Sequence, residues 1–293
     1  MRILLYIITC LILVMPSLAG AYDVLVVQDQ RSPTYDAILQ GFRSVRQLKE
    51  RVIVMQDYAE NDLLRITRED HPALVLAVGG RALIEARKLH QTPVVSVFSY
   101  AIQQSGPPSN LVQVKMLMPA ERFAALFRAL GAKRVGTVLT PMSSGFAAEA
   151  TEAFRKAGIR LVVREAMKPG NVPKQLEALK STVDALWLLP DPGIVTSESV
   201  EAFALFSMQQ RLPWVSFSDA HLKKGATAAF GIDIFDMGRQ AAETAGSIMA
   251  GVKPADLEDI HPRKTRLRFN HPVLEHLGLS VEPLRQLGGS TAE

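Results

Sequence analysis

Short runs of consecutive apolar residues recur along this chain, each closed by small or polar residues and followed by helical periodicity. Val24 to Val27 ends at Gln28-Asp29. Leu74 to Val78 ends at Gly79-Gly80, and Pro93 to Phe98 ends at Ser99-Tyr100. Val135 to Thr140 and Ala185 to Leu189 follow, the latter stopping at Pro190-Asp191-Pro192. Runs of this kind read as strands buried on both faces of a parallel sheet. Between them, Ile38, Leu39, Phe42, Val45 and Leu48 share one helical face. Helices are also expected over 62–69, 81–89, 119–130, 143–156, 172–179, 197–211 and 235–251, and further strands over 51–55, 111–118, 160–164, 213–219 and 226–233. Thr265 to Phe269 alternates charged and apolar residues, as a half-exposed edge strand does. The alternation of strand and helix predicts an α/β fold.

The rhythm breaks once, at the Ser-, Gly- and Pro-rich stretch from Gln103 to Asn110, and then restarts. Two Rossmann-like lobes are therefore expected, with parallel sheets flanked by helices and a ligand cleft between facing strand ends. The boundaries expected are 22–114 for lobe 1, with 234–262 returning to it, and 115–233 for lobe 2, with 263–287 returning to it. A loose tail is expected over 288–293.

Composition changes this picture at the N-terminus. Arg2 precedes an apolar run from Ile3 to Met15, broken only by Thr9, and then Ser17-Leu18-Ala19-Gly20-Ala21. That order reads as a secretory signal peptide over 1–21, cleaved after Ala19 or Ala21. The run is short against the roughly 20 residues of a spanning helix. The sole cysteine, Cys10, lies within it, so the mature chain has no disulfide and no thiol chemistry. The formal net charge of +4 carries no block of like charge, and no nucleic-acid partner is expected. The six histidines show no metal-ligand spacing. Hydrolase elbow, phosphate loop, zinc-protease and dinucleotide motifs are missing, so neither catalysis nor a cofactor is expected.

The segments Ala77-Val78-Gly79, Thr92-Pro93-Val94-Val95, Gly131 to Leu139, Val183 to Asp191, Lys224-Gly225-Ala226, Gly231-Ile232-Asp233, Gly238 to Ala242, Ala250 to Pro254 and Leu277-Gly278-Leu279 are informative in their order and spacing. Through them the mature chain resembles the ABC-transporter substrate-binding protein family of the periplasmic-binding-protein type 1 fold, which includes aromatic-amino-acid-binding proteins. The resemblance implies a periplasmic, monomeric protein that closes on a small molecule and presents it to an ABC permease in the inner membrane. The ligand class it suggests is an amino-acid-like zwitterion, aromatic ones included. A ligand-sensing subunit for a membrane partner and an exported α/β enzyme are the alternatives.

The resemblance also assigns site residues. Ser143-Ser144-Gly145, at a helix start, would hold a ligand carboxylate, and Asp191, at the Pro-Asp corner, a ligand ammonium. Read from the residues alone, the same positions serve equally as a Ser cap and a strand-ending turn. Gln28, Asp29 and Tyr35 follow the first strand and are candidates to line lobe 1. Gly79 and Gly80 allow close backbone approach or simply a tight turn, and Arg81 either binds a carboxylate or is solvated. Ser99 and Tyr100 are candidates for a hydroxyl and an aromatic wall, and Ser216 and Ser218, with Asp219, for ligand or hinge contact. Two turns depart from the family pattern: Gly79-Gly80-Arg81 stands where relatives carry Gly-Thr-Pro, and Ser99-Tyr100-Ala101 where they carry a Ser-Asp-Pro-like corner.

Overall fold

The computed structural model describes residues 22–57, 62–99 and 109–291. The expected signal peptide, most of the Ser/Gly/Pro-rich stretch and Tyr100 lie outside them. Two sheets form. In the first, β1 (Val24–Gln28), β2 (Glu50–Val54), β3 (Leu74–Val78), β4 (Val94–Ser99) and β5 (Leu111–Lys115) run parallel in the order β2-β1-β3-β4-β5. Alternate residues of the apolar runs enter different cores. Val24 and Val26 pack with Ile38 and Phe42 of α1 (Pro33–Val45). Leu25 and Val27 pack with Leu63 of α2 (Leu63–Asp70) and Leu83 of α3 (Gly80–Ala86). Burial on both faces is why these strands carry no polar alternation.

The second sheet contains β6 (Arg134–Leu139), β7 (Arg160–Glu165), β8 (Ala185–Trp187), β9 (Trp214–Ser216), β10 (Ala228–Ile232), β11 (Thr265–Phe269) and β12 (Ser290–Thr291), in the order β12-β11-β10-β9-β8-β6-β7. Strands β6 to β10 are parallel and β11 is antiparallel to β10. Trp187 anchors one face: it stacks on Phe154 of α5 (Ser144–Lys156) at 5.1 Å, with Phe123 of α4 (Ala120–Ala129) at 4.8 Å. Leu186 and Leu188 face the other way, toward Phe203 of α7 (Ser197–Gln210) and Leu176 of α6 (Val172–Glu177).

Three expectations change. Thr265–Phe269 is not an edge, because Arg268 and Phe269 pair in parallel with Ser290 and Thr291. For the same reason the expected loose tail is tied down as far as Thr291, with Leu284 of the preceding helix fully buried. The expected strand over 213–219 ends at Ser216 and gives way to a 3₁₀ turn, Asp219–Lys224. Two short helices, α9 (His271–His276) and α10 (Glu282–Gln286), have no counterpart in the hydrophobic pattern; each carries a proline in its first turn.

Among the described residues the chain passes between the sheets at 116–119, 233 and 261–264. After the second passage, α8 (Ile234–Met249) packs along α1 of the first sheet. The approach is close enough that a Cβ on Gly238 would stand 2.0 Å from the Ile38 carbonyl oxygen, and one on Gly41 1.9 Å from that of Phe235. Polar bonds lace the crossings. The buried Asp236 carboxylate accepts from Arg263 at 2.8 and 3.1 Å, and His261 Nδ1 sits 2.8 Å from the Leu117 carbonyl oxygen. Arg263 holds the Asp236 carboxyl below its ordinary range.

Candidate functional site

The carboxyl ends of the parallel strands in both sheets point into one cleft, which is where open α/β sheets place ligands. It has a front and a back compartment, and Met116 and Pro190 line both. The front compartment is open to solvent and spans about 1060 Å³. The first sheet contributes Asp29, Tyr35, Gly80, Arg81, Ile84 and Phe98 to it, and the second Met142, Pro190, Pro192, Val195 and Phe217. The back compartment is lined by Ser99, Lys115 and His261, and opposite them Ser143, Phe146, Glu149 and Asp191. Both compartments are walled mainly by carbon, with Asp29, Tyr35 and Arg81 as the polar groups of the front and Ser99, Lys115, Ser143, Glu149, Asp191 and His261 as those of the back, the mixture expected of a small-molecule site.

In the first sheet, Asp29 sets the local geometry. It leaves β1 and reaches across to the start of α3, where Oδ2 accepts from the Arg81 N–H at 3.1 Å and Oδ1 from the Ala82 N–H at 2.6 Å. It thereby caps a helix from another segment, satisfying first-turn donors that have no partner within the helix. The Tyr35 hydroxyl also bonds to Asp29, and burial together with that carboxylate pushes the Tyr35 phenol up to about 12. Gly79 is required between them. Its φ is +104°, and a Cβ there would lie 2.5 Å from the Asp29 carboxylate and 2.6 Å from the Tyr35 hydroxyl. Close packing explains this glycine without a ligand against the backbone.

Phe98 was not legible as a site residue. Its φ of +55° at a register shift between Val97 and Ser99 turns its ring out of the strand, edge-on to Tyr35 at 5.8 Å. An aromatic residue held in the left-handed region costs energy and is found where a particular side-chain direction is needed. In sequence it reads only as the last apolar residue of a strand.

In the second sheet, Asp191 departs from expectation. The resemblance implied a carboxylate offered to a ligand ammonium. Here it is 1% exposed and its oxygens already accept four bonds. Oδ2 takes the Thr140 N–H at 2.7 Å, the Thr140 hydroxyl at 2.8 Å and the Ser143 hydroxyl at 2.7 Å; Oδ1 takes the Gly193 N–H at 2.8 Å. The residues expected to hold opposite ligand charges are thus bonded to each other. Asp191 fixes the turn from β6 into α5 and keeps Ser143 on the cleft wall. Beyond Ser143 the first turn of α5 has no side-chain cap, and Ser144 is exposed.

The other expected residues divide. Tyr35, Asp29, Gly80, Ser99, Ser143 and Asp191 come together on the cleft walls. Gln28 lies at the end of β1, 4% exposed, and its Oε1 has no partner among the described residues. Ser216 turns away from the cleft: it is fully buried and bonds His221 Nδ1 at 2.5 Å, beneath Trp214 and Phe217. Burial, and then Lys224, lower the His221 pKa. Ser218 precedes the 3₁₀ turn without capping it, and Asp219 faces a separate polar recess with Arg263, Lys264 and Arg266. Tyr100 and the Ser99-Tyr100-Ala101 corner beyond Ser99 lie outside the described residues. Among the described residues, no three His, Cys, Asp or Glu side chains cluster as metal ligands, and no helix is long and apolar enough to cross a membrane.

Comparison with known proteins adds three kinds of finding. The family model described as "ABC transporter substrate binding protein" matches residues 68–283. A search of the curated proteins found no match. Among solved structures, a conserved domain protein from Vibrio cholerae superposes with a TM-score of 0.65 at 21% identity, covering 92% of this chain and 99% of its own. An ABC domain from Streptococcus pneumonia in complex with L-Trp superposes with a TM-score of 0.67 at 19% identity, covering 92% and 100%. A ligand-free, open substrate-binding protein with adhesive properties from Clostridium difficile gives 0.64 at 17%, covering 89% and 96%. At these identities the likeness is one of fold.

Proposed function

Because the chain belongs to the ABC transporter substrate-binding protein family, a family of solute binders and not of catalysts, we propose that it is the exported binding subunit of an ABC importer. It works in the periplasm as a monomer, captures a small amino-acid-like molecule by closure of the two lobes and presents it to an inner-membrane permease. The observation that carries this reading is the front compartment, which draws its walls from both sheets. A ligand there contacts both lobes only when they are together, so its binding energy favours the closed population. The apolar lining from Tyr35, Phe98, Met142 and Phe217 supports a ligand with an apolar or aromatic side chain.

The test is thermal unfolding of residues 22–293 against amino acids, short peptides and organic acids. A ligand at 100 times its dissociation constant adds about 2.7 kcal/mol. For a chain this size that raises the midpoint by roughly 5–11 °C. A shift with one class of amino acid supports the reading. No shift with any amino acid refutes the ligand class.

A further inference from the structure

Arg81 is the cation of the front compartment, and its two ends are used differently. Its backbone N–H is committed to Asp29. Its guanidinium has no hydrogen bond or ion pair among the described residues, and the side chain is exposed on the cleft wall. The carboxylate beside it on the same wall is already engaged, because Asp29 accepts from two backbone amides and the Tyr35 hydroxyl. A carboxylate with both oxygens aimed at those donors offers no bidentate face to a guanidinium. The start of α3 is likewise filled by Asp29, so the charge left for a ligand on this wall is the side chain.

Its surroundings sharpen the selectivity. Ile84 and Phe98 line the same compartment as Arg81 from the first lobe, and Met142, Pro192 and Val195 line it from the second. Closure of carbon walls around a guanidinium lowers the local dielectric and strengthens its bond to an anion. A planar guanidinium matches a carboxylate with two parallel N–H donors.

We propose that Arg81 selects the ligand's anionic group, so that the cleft takes a molecule with an apolar body and a carboxylate. This rests on the cleft being the ligand site, and it moves the anion contact from the helix start at Ser143–Gly145 to a side chain of the other lobe.

The experiment measures dissociation constants by calorimetry for residues 22–293 and for Arg81→Gln and Arg81→Lys. The probes are L-tryptophan, L-phenylalanine and L-leucine, their carboxamides, and the deaminated acids 3-phenylpropionate and indole-3-propionate. The wild-type chain should prefer the acids over the amides by about tenfold or more. Arg81→Gln should abolish that preference, weakening the acids about tenfold more than the amides, and Arg81→Lys should keep part of it. Equal weakening of acids and amides in Arg81→Gln, or an unchanged affinity for the acids, would overturn the role of Arg81 alone. Failure of every probe to bind the wild-type chain would overturn both this assignment and the ligand class.

Discussion

Replacing Asp191 by alanine separates a carboxylate that holds a turn from one reserved for a ligand. The carboxylate is buried and accepts two backbone donors, from Thr140 and Gly193, and two hydroxyls, from Thr140 and Ser143. The hydroxyls can rotate to other acceptors or to water. The amides cannot, and a buried donor left without a partner costs about 1–3 kcal/mol. With about 3 kcal/mol for the buried Thr140 amide and about 1 kcal/mol for the part-buried Gly193 amide, Asp191→Ala loses about 4 kcal/mol in the absence of any ligand. For a chain of this length that is a fall in midpoint of about 8–16 °C. Asp191→Asn keeps one oxygen for the Thr140 and Ser143 donors but turns an N–H₂ toward the Gly193 amide, so its loss should be about 1–3 kcal/mol. Differential scanning calorimetry of the ligand-free variants reads both. A ligand-free Asp191→Ala protein that melts within 2 °C of wild type, yet binds no ligand (about 2 °C being less than 1 kcal/mol at this size), would refute the structural role. It would restore the carboxylate as a ligand contact.

Three further outcomes follow from the same geometry. Gly238→Ala should destabilise by about 3 kcal/mol, because the new Cβ would stand 2.0 Å from the Ile38 carbonyl oxygen and force α1 and α8 apart. A gain of about 1 kcal/mol, the ordinary effect of Gly→Ala in a helix, would show that the helices are not so close. In an alkaline titration followed by tyrosinate absorbance, Tyr35 should ionise near 12 and Tyr35→Phe should remove that late phase. The protonated phenol is favoured in the folded state, so its contribution is complete below the ordinary value of 10.0 and is lost as pH rises toward about 12. His221 behaves in the opposite sense: its folded pKa is lowered, so stability is complete above 6.5 and falls as pH drops below it. His221→Asn should flatten that acid-side slope in urea unfolding, and an unchanged slope would remove His221 as its source.

The alternation of buried runs and amphipathic stretches determined a good deal by itself. Strands that lie between two layers of helix have no solvent side, so Val24 to Val27 and Leu74 to Val78 had to be uniformly apolar, and that property is local. The order of those runs, the break after Ser99 and the turn residues at strand ends were enough to place two α/β lobes and to nominate the strand ends as the site. Family resemblance, spread over many segments, agreed with that architecture.

What the side chains at the strand ends do was decided only by the tertiary structure. Asp29 and Asp191 each look like a carboxylate waiting at a strand end, yet each is consumed by amides from segments far away in the chain: Arg81 and Ala82 for the first, Thr140 for the second, with Gly193 adding a local bond. Ser216 ends a strand just as Ser143 precedes a helix, but one is sealed against His221 and the other lies on the cleft wall. Phe98 acquires its role from a positive φ, and Thr265–Phe269 ceases to be an edge because two residues near the C-terminus pair with it. Hydrophobic periodicity records which face of an element is buried, since burial acts on each residue where it stands. It does not record which donor meets which acceptor across many tens of residues, because that is a property of the packed lobes and not of any segment within them.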